Sequence, residues 1–153
     1  MVMTTLNLGS NFDTTYVSYT DNMFNSCGTN ALTTFSLGIK FNTANVRYMY
    51  GMFKNFAHKL ETLSLGNLFY INEQVTDMSN MFNGCGATSM KRLDLGENFN
   101  TSKVQNMSGM FQDFAKDSTT MTSLDLGNLF YTTSSPVRSC SLDSMTIFAS
   151  PNR

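Results

Sequence analysis

The chain has 153 residues, room for one domain, with 41% hydrophobic and only 14% charged residues and a formal net charge of −1. Nucleic acid is excluded as a partner, because that binding needs a concentrated basic surface, and no run of about 18 apolar residues is present to span a membrane. One histidine, His58, and three cysteines leave no cluster for catalysis, metal ligation or a disulfide framework, so no catalytic residue, metal or cofactor is expected.

From Met1 the chain runs straight into a short alternating stretch, with no secretory leader ahead of it. Either the protein acts inside the cell or the chain is one piece of a longer surface protein; the second is expected, because the repeat starts in phase almost at once with no atypical N-terminal cap before it. Leu6 and Leu8 flank Asn7 and stop at Gly9, the period-two pattern of a short strand with one face inward. Phe12, Val17 and the pair Met23-Phe24 follow. This first unit covers 3–30, and it then recurs. Met-Phe pairs fall at Met23-Phe24, Met52-Phe53, Met81-Phe82 and Met110-Phe111, and each interval (52−23, 81−52, 110−81) is 29 residues. Leu-Gly pairs recur at Gly9, Gly38, Gly66, Gly96 and Gly127. A period of this size, with one supersecondary unit in each, is the mark of a solenoid.

The second unit, 31–58, carries Phe35 and Leu37 at the strand positions. Val46, Met49, Met52, Phe53 and Phe56 then sit at i, i+3, i+6, i+7 and i+10, which reads as one stripe of a short helix. Thr43 stands where it could cap that helix, and Thr101 does the same in the fourth unit. The third unit, 59–89, repeats the pattern with Leu63, Leu65, Val75, Met78, Met81 and Phe82. The fourth, 90–120, is the cleanest copy, with Leu93, Leu95, Phe99, Val104, Met107, Met110, Phe111 and Phe114. A partial fifth unit, 121–131, keeps the strand through Leu124 and Leu126. Beyond it Cys140, Asp143 and Ser144 replace the apolar pattern, and both prolines, Pro136 and Pro151, occur there. Residues 132–153 are expected to form an irregular C-terminal cap over the last open coil, the other reading being the lead into a different domain.

The expected fold is thus α/β: a solenoid of about five coils, each with one short parallel strand and one short helix. Phe24, Phe53, Phe82 and Phe111 should form one buried column. Phe12, Phe41, Phe99 and Phe130, joined by Leu68 or Phe69, should form another. A second rhythm runs through the repeat. Cys27 and Cys85 alternate with Phe56 and Phe114 at one slot, so two coils make the larger unit. The two cysteines, two coils apart, are roughly 10 Å from each other by strand stacking, too far for a disulfide, and read as small buried apolar residues.

The strand half, Leu-x-x-Leu-x-Leu, resembles a leucine-rich repeat. With Leu-Gly, Phe-Asn-Thr and Val-x-x-Met-x-x-Met-Phe added, the unit from Met3 to Phe130 resembles the BspA-like repeats of mycoplasma lipoproteins and of other bacterial and protozoan surface proteins. The resemblance implies a leucine-rich-repeat-type solenoid, a location at the cell surface or outside the cell, and a role in adhesion and protein binding.

The strand face turned away from the core is the candidate contact surface, since repeat proteins bind along such extended faces. Most of its positions are Thr, Ser or Asn. Charge gathers at Lys91, Arg92, Asp94 and Glu97, with Glu61, Thr62 and Asp125 beside them. Asp94 and Asp125 share one slot in adjacent coils and read as an outward polar column. The expected partner is a protein or a host surface molecule. A different role is a spacer that binds nothing and associates end to end.

Overall fold

The computed structural model describes residues 2–121, 123–131 and the strand at 146–148. The chain winds in stacked coils that repeat one path. Each coil contributes one three-residue strand: β1 (Thr5–Asn7), β2 (Thr34–Ser36), β3 (Thr62–Ser64), β4 (Arg92–Asp94) and β5 (Ser123–Asp125), with β6 (Thr146–Phe148) following. All pairing is parallel, and Leu6 lies opposite Phe35 as Leu63 lies opposite Leu93. In β1 to β4 the central residue points inward and its neighbours point out, as a pleat of period two requires.

The expected helix in each coil, and with it the α/β leucine-rich-repeat architecture, is overturned: the described residues contain only strands, bridges and turns. The stripe from Val46 to Phe56 is inward, and all five of its side chains are buried, but the backbone beneath it is not helical. Amides alternate between two partners. Met23, Asn25 and Cys27 donate to carbonyls three residues back, while Asn22, Phe24 and Ser26 donate to Tyr50, Met52 and Lys54 of the next coil. Left-handed residues enforce this alternation. Asn22, Gly51, Asn80 and Gly109 occupy one column at φ +55 to +64, and Ser26, Asn55, Gly84 and Asp113 occupy a second at φ +51 to +66. A residue with positive φ cannot continue a right-handed helix, and Gly and Asn adopt that region at least cost.

The core is a set of aromatic ladders. Phe24, Phe53, Phe82 and Phe111 stack at centroid spacings of 5.3, 5.7 and 5.4 Å. Phe12, Phe41, Phe69, Phe99 and Phe130 form the second ladder. Phe69 is buried in it, whereas Leu68 is exposed. Phe56 leans over Phe24 and Phe114 over Phe82, so each reaches back into a coil that carries cysteine at its slot. Cys85 is buried, and that burial pushes its thiol pKa up. Cys27 is only half-buried, contrary to expectation, because no coil stacks on its other side among the described residues.

Thr43 and Thr101 cap no helix. They are buried, and each hydroxyl stitches its coil to the next. Thr43 Oγ1 donates to the Tyr70 carbonyl at 2.8 Å and accepts from the Tyr70 amide at 2.6 Å. Thr101 does the same with Tyr131. Most of the expected C-terminal cap, Pro136 and Cys140 included, lies outside the described residues. Within it, β6 pairs in parallel with β5.

The strand wall is not one continuous sheet. It divides into β1-β2, β3-β4 and β5-β6. The glycine turns behave in the same way. A Cβ on Gly38 would strike the Gly9 carbonyl and one on Gly96 the Gly66 carbonyl, whereas one on Gly66 or Gly127 would meet nothing within 4 Å. Coils therefore close on each other within a pair and part between pairs. On the opposite wall the hydrogen bonds run unbroken, from Phe24 to Met52, Phe53 to Met81 and Phe82 to Met110.

Candidate functional site

The charged cluster lies where the strand wall opens. Lys91 immediately precedes β4 and Arg92 begins it; Glu61 immediately precedes β3 and Thr62 begins that strand. Parallel register sets Thr62 opposite Arg92 and Ser64 opposite Asp94. Lys91 Nζ reaches Glu61 Oε2 at 2.7 Å across the ladder, and Arg92 Nη2 reaches Asp94 Oδ2 at 3.3 Å along its own strand. Asp94 Oδ1 accepts the Gly96 amide, and Asp125 Oδ1 accepts the Gly127 amide, each bracing the turn that ends its strand.

Between β4 and β5 the wall parts into a cleft of about 330 Å³, bordered by Lys91, Arg92, Asp94 and Asp125. A second hollow continues around the turn, with Glu97 and Asp94 on one side and Asn128 and Leu129 on the other. The structure thus brings all the expected contact residues to one region. Glu61 and Thr62 lie on its far side, where β3 and β4 are joined by the ladder. Asp94 and Asp125, at the same slot of adjacent coils, both border the cleft between the parted strands. Among the described residues no group of three His, Cys, Asp or Glu side chains is placed to hold a metal. Among the described residues no helix is long and apolar enough to cross a membrane.

His58 is half-buried in a turn, and its carbonyl accepts both the amide and the hydroxyl of Thr88. Its place is one of backbone stitching.

Another surface was not singled out from the sequence. Tyr16, Tyr19, Tyr48 and Tyr50 are all exposed on the first two coils. Tyr19 and Tyr48 form a parallel bridge and stack with centroids 4.9 Å apart, 2° from coplanar. Beside them runs a furrow of about 620 Å³, bordered by Tyr16, Ser18, Arg47, Asn72, Glu73 and Gln74. The signal was present in the alignment of the units. Where coils one and two carry Tyr19 and Tyr48, coils three and four carry Asp77 and Asn106, so the ring is no requirement of the coil.

No curated protein and no solved structure matches the chain. A family model does match, over residues 3–123, which takes in the first four coils and the start of the fifth. By that match the chain belongs to the family described as "Mycoplasma protein of unknown function, DUF285".

Proposed function

We propose that this chain is a non-enzymatic binding or adhesion module, one segment of a larger bacterial surface lipoprotein, which holds a protein partner against its strand wall. The observation that carries the reading is the gathering of Lys91, Arg92, Asp94, Glu97 and Asp125 around the cleft between β4 and β5. Their pairing does little for the fold. Exposed ion pairs such as Lys91–Glu61 and Arg92–Asp94 are worth about 0–1 kcal/mol. A partner can therefore exchange these pairs for its own at small cost, and charge complementarity would set register and speed of encounter.

The test changes Arg92→Ser and Asp94→Ser together. Expected is an unchanged unfolding temperature and loss of the proteins that the unaltered chain retains from host-surface extracts, with retention that weakens as salt rises. Retention indifferent to both salt and the double substitution would remove the patch from consideration. Concentration-dependent self-association with no retained partner would favour the spacer.

A further inference from the structure

We propose that the furrow beside the tyrosine stack, on coils one to three, is a binding site for a neutral oligosaccharide. It is separate from the charged strand wall and would take a different class of ligand.

The rings come first. Tyr16 is 93% exposed and Tyr19 67%, on a chain with six tyrosines in all. None is core, and the repeat does not demand them: in the column of Tyr16, later coils carry Asn45, Gln74 and Lys103. Tyr19 stacks on Tyr48 beside the furrow, and Tyr16 is the ring that borders it. An exposed aromatic ring offers a flat apolar surface with a hydroxyl at its tip. The C–H face of a pyranose is complementary to such a surface.

The furrow supplies the polar half of the match. Its floor is fixed. Asn45 Nδ2 donates to the Thr15 carbonyl at 2.7 Å, Asn72 Nδ2 donates to the Ala44 carbonyl at 3.1 Å, and Asn72 Oδ1 accepts the Gln74 amide at 2.9 Å. Arg47, Glu73 and Gln74 line the same furrow, and among the described residues none of their side chains makes a hydrogen bond or ion pair. The contrast with Lys91, Arg92 and Lys116, each paired with a carboxylate, is direct. A carboxylate that accepts two neighbouring hydroxyls, a guanidinium that donates to a third and an amide that does both are what a polyhydroxylated ligand uses. Binding to a floor already fixed loses little ordering entropy.

Charge selects against the other occupants. One Arg and one Glu leave the furrow neutral, which disfavours a polyanion. A proline-rich segment would need parallel aromatic ridges, whereas Tyr16 alone borders the furrow. Successive coils repeat the slot at strand spacing, about 4.8 Å, so a linear glycan laid along the axis would meet side chains from coil after coil.

The experiment titrates the full chain, by calorimetry and amide NMR, with chitotetraose, cellotetraose and maltotetraose as neutral probes, and with decaproline and heparin as competitors of other classes. Expected is saturable binding of at least one neutral tetrasaccharide. It should weaken roughly tenfold or more in Tyr16→Ala, the scale of one lost aromatic contact, and likewise in Arg47→Ala with Glu73→Ala. It should be unchanged in Arg92→Ser with Asp94→Ser. These furrow positions are exposed, so the variants should fold, and the NMR spectrum confirms it. Failure of all three tetrasaccharides at millimolar concentration would overturn the proposal. Binding that survives Tyr16→Ala, or decaproline or heparin binding through the same residues, would overturn it as well.

Discussion

Gly109 carries φ +64, and a Cβ built there would come within 2.6 Å of Asn80 Oδ1 in the preceding coil. Gly51 stands in the same relation to Asn22 and Gly84 to Asn55. An asparagine amide in one coil thus fills the room that a glycine leaves in the next, and both residues sit in the left-handed region. Gly109→Ala should cost about 1–2 kcal/mol for the backbone alone, with a steric contribution added. Asn80→Gly removes only the steric part. A double-mutant cycle by denaturant unfolding should therefore show coupling of at least about 0.5 kcal/mol, with Gly109→Ala milder once Asn80→Gly is already in place; strict additivity would mean that the two do not interlock. These residues were legible in the sequence as an Asn/Gly column immediately before each Met of the Met-Phe pairs. The apolar stripe running through them has the spacing of a helix face, and that spacing masks a left-handed column.

Inside the coil, a run of turns that bond alternately backward and onward presents Val, Met, Met, Phe at nearly the spacing of a helix face. That is why the buried residues were predicted and their backbone was not: Val75, Met78, Met81 and Phe82 are fully buried on either reading. The stripe records which side chains face inward, and periodicity alone does not say which backbone carries them. The Phe24-Phe53-Phe82-Phe111 ladder follows from the repeat directly, because a constant 29-residue step returns the same side chain to the same place. Phe82 stacks on both neighbours and also meets Phe114. Phe82→Ala should cost about 3–5 kcal/mol in denaturant unfolding, and an unfolding midpoint that barely moves would contradict the ladder.

Across the whole molecule, one wall is bonded through the described coils and the other opens at every second coil. The residues of the proposed contact patch were legible as the charged stretch of an otherwise neutral face. The cleft they border was not, because the strand slots repeat alike on both sides of it. Hydrogen exchange should reveal the openings. Thr34 donates to Thr4 and Leu8 to Ser36, so the backbone groups of Phe35 face away from β1. Lys91 donates to Glu61 and Leu65 to Asp94, which turns those of Thr62 and Ser64 away from β4. The amides of Phe35, Thr62 and Ser64 should exchange well ahead of those of Phe53 and Phe82, whose bonds cross between coils on the closed wall. Equal protection throughout would mean that the strand wall is continuous.

The interlocking of Asn with Gly bears on how such a chain can change length. Recombination that deletes one coil would bring Asn22 over Asn80 and Cys27 beside Cys85, crowding one column and hollowing the other. Deleting two would seat Asn22 over Gly109 and Cys27 beside Phe114, as in the parent. Copy number in this lineage is therefore free to drift by even steps, 58 residues (2 × 29) at a time, while odd steps meet a packing fault at the junction. The repeat has a parity, and natural length variants should respect it.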